Sequence, residues 1–395
     1  MASRSVVFVA PVRTAIGAFG GTLKDAPAPD LGAVAIRAAV ERAGLKPDEV
    51  ETAVMGNVIQ AGTKMNPARQ AAVDAGLPVT VPAMTVNRVC GSGAQAIVSA
   101  AQEILLGNAN AAVAGGMESM DQAPFLVGRG RWGYRLGDGQ LYDSVLRDGL
   151  NDAFSGEHSG WHTEDLVERH QVTRAAQDQW ALRSQQRFAR AKAAGHFKGE
   201  IAPVEVPGKK GPTQFVEDEA NRPDTTLEAL ARLKPAFRPN GSITAGNAPG
   251  LNDAAAAMVL ADEAWAEKRG LTPAARLVSY GVAAVEPGMF GLGPVPAVRQ
   301  ALQRAGWEMG SIERAEINEA FAAIAIVVAR ELGLSDEIVN VDGGAVAHGH
   351  PIGATGAMLT TKLIHSMRRD GLKRGLVTLC IGGGQGIALA IETLH

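Results

Sequence analysis

The chain has 395 residues, 46% apolar and 20% charged, with a formal net charge of −3. That length exceeds what one hydrophobic core usually organises, so two or three packed units are expected, and the balanced charge excludes a nucleic-acid surface. No apolar run nears the ~20 residues of a bilayer span, and two cysteines argue for a reducing, cytoplasmic setting without disulfides.

Residues 5–10 predict a buried strand, and Arg13 to Gly21 a glycine-rich turn. Leu31 to Ala43 carries an apolar stripe and predicts a helix stopped by Gly44. A short strand follows at 53–55. The β-prone run Ala83-Met84-Thr85-Val86 then enters Asn87-Arg88-Val89-Cys90-Gly91-Ser92-Gly93 and an alanine-rich segment reaching Leu106. The order reads strand, glycine turn, helix, with Cys90 at the turn. A thiol there sits among unpaired helix N–H groups, where the positive end of the dipole favours thiolate. Free cysteines are also commonly small buried apolar residues, so this stretch alone leaves both readings open. A strand at 111–114 ends in Gly115-Gly116-Met117-Glu118-Ser119. Strands alternating with helices indicate an α/β protein.

From about residue 121 the apolar density falls. Arg129, Arg131, Trp132 and Tyr134 precede a long charged helix over 164–194, then strand, loop and a proline-spaced segment reaching Pro239. The stretch reads as an insertion that covers something. Its basic doublet, Lys209-Lys210, predicts a solvated loop. The α/β pattern resumes at 254–260.

The chain then repeats itself. Residues 35–44 line up with 297–306 at an offset of 262, and the register continues through 50–53 against 312–315 to Gly91 against Gly353. With five further residues inserted, Val113-Ala114-Gly115-Gly116 falls on Cys380-Ile381-Gly382-Gly383. A period this long is a duplicated domain, and two such halves bring equivalent loops face to face. Cys90 would then lie near the loops around His350 and Cys380.

The second half supplies Asn318-Glu319-Ala320-Phe321 at a strand end, a glycine-rich loop carrying His348 and His350, and Cys380 beside Gly382-Gly383-Gly384. Thiol chemistry needs those parts: a nucleophile, a base, and N–H donors for an oxyanion. A metal site built from His348, His350 and a cysteine matches no familiar zinc spacing. A dinucleotide loop at Gly91-Ser92-Gly93-Ala94-Gln95-Ala96 lacks the acid expected at the end of the next strand.

Seven stretches in order resemble the thiolase family: 12–17, 87–93, 115–120, 244–247, 318–322, 349–356 and 380–386. The resemblance implies two similar α/β halves in a layered αβαβα sandwich with an inserted loop domain. Its boundaries would be 1–120 plus 246–270 for the first half, 121–245 for the loop domain over coenzyme A, and 271–395 for the second half. It further implies reversible acyl transfer between CoA thioesters, with no permanently bound cofactor and no metal. Cys90 would carry the acyl group, His350 would activate it, and Cys380 would move the α-proton. Cys90 and Gly382 N–H groups would form one oxyanion hole, His350 and Asn318 through a water the other. Acyl-CoA and CoA would be the partners, and the family's habit implies a homo-oligomer, dimer or tetramer. Acetyl-CoA C-acetyltransferase is the first expectation, and a degradative 3-ketoacyl-CoA thiolase with a reshaped acyl pocket the alternative. A decarboxylating ketosynthase fits less well because of Cys380, and an inert CoA-binding relative because every catalytic residue type is present.

Several expected substrate contacts depart from the family pattern. Among His158, Ser159, Arg222, Ala248, Pro249, Phe290, Phe321 and His348, Ser159 replaces a methionine, Pro249 a serine and Phe290 a methionine, while His348 replaces an aliphatic residue. Trp161 and His162 also stand where the family has small residues. These changes admit two readings: neutral drift at tolerant loop positions with CoA held by the remaining contacts, or a pocket reshaped for a larger, polar or aromatic acyl group.

Overall fold

The computed structural model describes residues 4–208 and 211–394, so the Lys209-Lys210 doublet lies outside the described residues. The first half runs β1 (Val6–Thr14), α1 (Ala28–Arg42), β2 (Thr52–Gly56), β3 (Ala83–Val86), α2 (Ser92–Leu105) and β4 (Ala111–Ser119). Helices α3 (Ser159–Arg169) and α4 (Arg174–Ala193) belong to the segment that follows, and β5 (Asn252–Asp262) comes after it. The second half runs β6 (Ala275–Ala284), α5 (Pro294–Ala305), β7 (Arg314–Ile317), α6 (Ala322–Leu332), α7 (Thr355–Asp370), β8 (Arg374–Ile381) and β9 (Gln385–Thr393).

The main sheet follows the order β7-β8-β9-β6-β1-β5-β4-β2-β3. In the first half β5 lies antiparallel between β1 and β4, with β2 and β3 parallel to β4 beyond. In the second, β9 lies antiparallel between β6 and β8, with β7 parallel to β8. A short antiparallel seam, Val6–Phe8 against Ala275–Leu277, joins them. Helices α2 and α7 pack on each other and on strands of both halves, α1 covers the first half and α5 the second. The layers are therefore α, β, α, β, α. Ile97, Ile104, Met358, Leu359 and Leu363 fill the middle layer against Leu260 and Leu389, all essentially buried. Each such side chain stabilises the fold by roughly 1.5–3 kcal/mol, so this layer holds the halves together.

Glycines set how closely the two central helices meet. A Cβ on Gly93 would stand 2.6 Å from the Ala357 nitrogen, and one on Gly356 would stand 2.2 Å from the Ala94 nitrogen. Each helix start thus docks on the other's backbone, and the loops before them, holding Cys90 and His350, are brought together.

Two sequence expectations need correction. The single helix over 164–194 is two helices, broken where Gln171 takes a left-handed φ of 51° and Thr173 caps α4 through Ala176 N–H. The repeat also needs no five-residue insertion. Thr52 pairs with Ala112 and Arg314 with Gly375, so offsets of 262 and 263 relate the two strand pairs. At that offset Cys380 corresponds to Met117 and not to Val113. Alanine and glycine are too alike along these strands for composition to fix the register, which the ladder hydrogen bonds do.

Candidate active site

Cys90 sits where β3 turns into α2. Val89 before it holds a φ of 44°, an uncommon conformation for a β-branched residue. Local hydrogen bonds enforce it: Val89 N–H donates to Asn87 Oδ1 at 2.9 Å, and the Ser92 hydroxyl donates to the Val89 carbonyl at 2.7 Å. Arg88 reaches across to Gln385 Oε1 at 3.0 Å, tying the turn to the second half. Gly91 is needed because a Cβ there would meet Ile381 Cδ1 at 2.5 Å. That close approach places Gly382 beside the thiol, whose sulfur faces the N–H groups of Gly382 and of Cys90 itself.

Burial pushes the Cys90 pKa up to about 11; the two N–H groups oppose the shift without reversing it, and Glu118 adds slightly to it. The expectation that the helix start favours thiolate is therefore corrected. Desolvation of a side chain only 9% exposed outweighs the dipole.

His350 is 7% exposed, and burial lowers its pKa to about 4. The Thr355 hydroxyl donates to the Pro351 carbonyl at 2.9 Å, so it accepts from His350 Nδ1–H at 2.7 Å. This assigns the proton to Nδ1 and leaves Nε2 as the unprotonated, basic nitrogen. Asn318 Nδ2 approaches Nε2 at 3.3 Å, and Asn318 Oδ1 is buried with no partner among the described residues. Asn252 Oδ1 accepts from His350 N–H at 2.9 Å and packs so closely under Gly349 that no Cβ would fit there. Cys380, at the end of β8, is fully buried, which together with the neighbouring Cys90 raises its pKa well above the ordinary thiol range.

A cavity of about 390 Å³ opens on these groups, with Cys90, His350 and Gly382 in its wall. His158, Ser159, Ala248, Pro249, Phe290 and Phe321 line it too. His158 caps α3 by accepting from Gly160 N–H at 2.9 Å and stacks on Phe237 at 4.6 Å. Arg222 lines an adjoining cavity of about 520 Å³, which shares Ala248, Gly250 and Leu251 with the first. His348 is not brought to either. It ends the one-turn helix Ala345–His348, and the chain reverses at Gly349, φ 103°, before reaching His350. Its ring packs near Phe188 at 5.9 Å, its Nδ1 lies 2.9 Å from the Gly349 carbonyl oxygen, and burial with Lys362 and Arg13 nearby keeps it neutral. The expectation that His348 shapes the acyl pocket is corrected accordingly.

Four positioning residues escape sequence reasoning. Thr355 and Asn252 orient His350, as above. Glu118 accepts from Asn57, Val58, Ile59 and Gly353, bracing the catalytic loops from below. Glu319 accepts from Trp180, Ser184, Asn340 and Val346, fixing α4 to the second half. A buried acid inside an apolar motif is the sequence signal for the two glutamates; nothing comparable marks Thr355. Among the described residues no group of three or more His, Cys, Asp or Glu is arranged to hold a metal ion, and no helix is long and apolar enough to cross a membrane.

The description "Thiolase, N-terminal domain" matches residues 6–264, and "Thiolase, C-terminal domain" matches 271–393. This chain belongs to the thiolase family. An acetyl-CoA acetyltransferase of Cupriavidus necator is 50% identical over 388 residues, covering 98% of this chain and 99% of that protein. The crystal structure of the Bacillus anthracis acetyl-CoA acetyltransferase superposes with a TM-score of 0.97 at 45% identity, over 99% of both chains. That of human mitochondrial 3-ketoacyl-CoA thiolase gives 0.97 at 43% identity over the whole of both. The thiolase fold thus carries two cysteines, one histidine and one asparagine into a single cavity wall or its immediate backing.

Proposed function

We propose that this thiolase catalyses reversible acyl transfer between CoA thioesters through an acyl-Cys90 intermediate, with acetyl-CoA C-acetyltransferase activity as its basic reaction. The observation that carries this is the Cys90 sulfur facing the N–H groups of Cys90 and Gly382, in one cavity wall with a neutral His350. Near-full-length identity of 50% to an acetyl-CoA acetyltransferase supports it.

In the cleavage direction Cys90 attacks the β-carbonyl of a 3-ketoacyl-CoA while His350 Nε2 takes the thiol proton. Both groups are neutral at rest, so proton transfer accompanies attack instead of preceding it. The Cys90 and Gly382 N–H groups bind the oxyanion, an interaction worth ~3–4 kcal/mol for a single donor in comparable sites. Collapse expels the enolate of acetyl-CoA, which takes a proton from Cys380 at carbon. His350 and Asn318, whose Oδ1 is free to hold a water, stabilise that enolate. A second CoA thiol then attacks the acyl-Cys90 carbonyl, giving its proton to the Cys380 thiolate, while the Cys90 thiolate leaves and regains its proton from His350. Arg222 and the 121–245 segment hold the CoA nucleotide, with pantetheine running past Ala248 and Pro249. Coenzyme A esters are the only small molecules this scheme requires.

The degradative alternative, acting on a larger acyl group, is favoured by the Ser159 and Phe290 replacements in the cavity wall. We further propose a cytoplasmic homo-oligomer, supported by two free cysteines and by exposed Phe125, Trp132, Leu136 and Leu141 in one covering segment. Thiolysis of a panel of β-ketoacyl-CoA esters tests the activity. CoA-dependent release of acetyl-CoA is expected, and no cleavage of any ester would overturn it.

A further inference from the structure

Resting on the thiolase reading above, the inference concerns what the acyl group carries at its far end. The cavity wall near Cys90 is apolar, with Val89, Met120 and Ile352. Another part of the same wall is polar and comes from the segment before and within α3, where Asp152 and His162 stand together.

The Asp152 side chain is only 6% exposed. Its Oδ2 accepts from Phe154 N–H at 3.1 Å, Ser155 N–H at 2.8 Å and the Ser155 hydroxyl at 3.0 Å. Its Oδ1 has no hydrogen-bond partner among the described residues. A buried carboxylate oxygen left unpaired is costly, and a bound donor relieves that cost. Because the Ser155 hydroxyl hydrogen goes to Asp152, Ser155 Oγ accepts from His162 Nε2–H at 2.7 Å. That fixes the ring, which lies 4.0 Å from the Asp152 carboxylate and packs beside Gly288, where a Cβ would meet Nδ1 at 3.2 Å. Gly288 lies in the Pro287–Leu292 turn that also supplies Phe290 to the wall. The Asp165 carboxylate faces His162 Nδ1 from the other side at 3.5 Å and is itself paired with Arg238 at 2.6 Å. Arg147 and Asp148 line the cavity beside Asp152 and His162, while Ser155, Asp165 and Arg238 support these groups, and one Asp152 oxygen is left unused.

We propose that Asp152 and His162 make the acyl pocket selective for β-ketoacyl-CoA esters whose acyl chain ends in a hydrogen-bond donor, a hydroxyl or an ammonium group. The donor satisfies Asp152 Oδ1. A terminal methyl leaves that oxygen unpaired, and a terminal carboxylate is repelled by it.

The test compares kcat/KM for CoA-dependent cleavage of acetoacetyl-CoA and of matched β-ketoacyl-CoA esters of increasing length ending in methyl, hydroxymethyl, aminomethyl or carboxylate. At the length that fits, the hydroxyl or amino ester is expected to exceed its methyl counterpart by about tenfold, the scale of one hydrogen bond to a charged group. The better of the two identifies the donor. Asp152→Asn keeps the turn, because its amide oxygen accepts from Phe154 and Ser155, but presents NH₂ in place of Oδ1. In that variant the ratio of amino to methyl ester should fall to about one, and the carboxylate ester should gain. Equal or better cleavage of the methyl ester at every length, or a wild-type preference for the carboxylate, would overturn the proposal even if Asp152→Asn failed to fold. Absence of turnover on every ester, acetoacetyl-CoA included, would overturn the thiolase reading itself and this inference with it.

Discussion

The two thiols have different surroundings, which is what the proposed division of roles between them rests on. Cys90 touches N–H donors and lines the cavity; Cys380 is fully buried one layer behind it. Cys380→Ala should therefore retain acyl exchange onto Cys90 while losing cleavage and condensation, by about a thousandfold or more. Rapid-quench labelling set against steady-state turnover would show the split, and equal loss of both would contradict it. His350 makes a pH prediction. Its pKa is about 4 in the folded chain against an ordinary 6.5, so the unfolded chain binds the proton first as pH falls. The stability it contributes is complete above about pH 6.5 and is lost progressively toward pH 4. Relative to His350→Asn, the wild type should lose ~2–3 kcal/mol between pH 7 and 4.5, read from urea midpoints. An unchanged difference would place the imidazole in a solvated setting.

At the scale of elements, close glycine contacts and buried ion pairs do the positioning. Gly356→Ala puts a methyl into the backbone of α2 and should cost ~1–3 kcal/mol, visible as a lower Tm. Gly310→Ala, exposed, with open space around it and no left-handed backbone, controls for the general effect of filling a glycine. Arg13 lies at the end of β1 with 1% exposure, paired with Glu200 at 2.7 Å and Asp218 at 2.7 Å. Arg13→Ala leaves two buried carboxylates unpaired, a change of ~3–5 kcal/mol, and should make the 121–245 segment sensitive to limited proteolysis. Legibility in the sequence follows the same division. The turn carrying Cys90 was readable because glycine, serine and cysteine interrupt an apolar pattern. The break between α3 and α4 was not, because Gln171 carries no turn signal and charged residues flank it on both sides. Register between β4 and β8 was lost for a related reason, since alanine and glycine repeat too uniformly to mark a pairing.

For the molecule as a whole, the duplicated halves were visible as a 262-residue offset, and their packing explains why the site forms between them. Cys90 comes from the helix start of one half, His350 and Cys380 from the other. What the sequence left hidden was direction: His348 and His350, two residues apart, point into different surroundings because the chain reverses at Gly349. The exposed apolar residues of the covering segment predict self-association, and a monomeric mass by light scattering would contradict it. The central claim is the acyl-Cys90 intermediate. Acid-quenched protein incubated with acetyl-CoA, digested and mapped by mass spectrometry, should carry an acetyl group on the Cys90 peptide, and Cys90→Ser should carry none and lose turnover. Acetyl on Cys380, or turnover surviving in Cys90→Ser, would contradict the account.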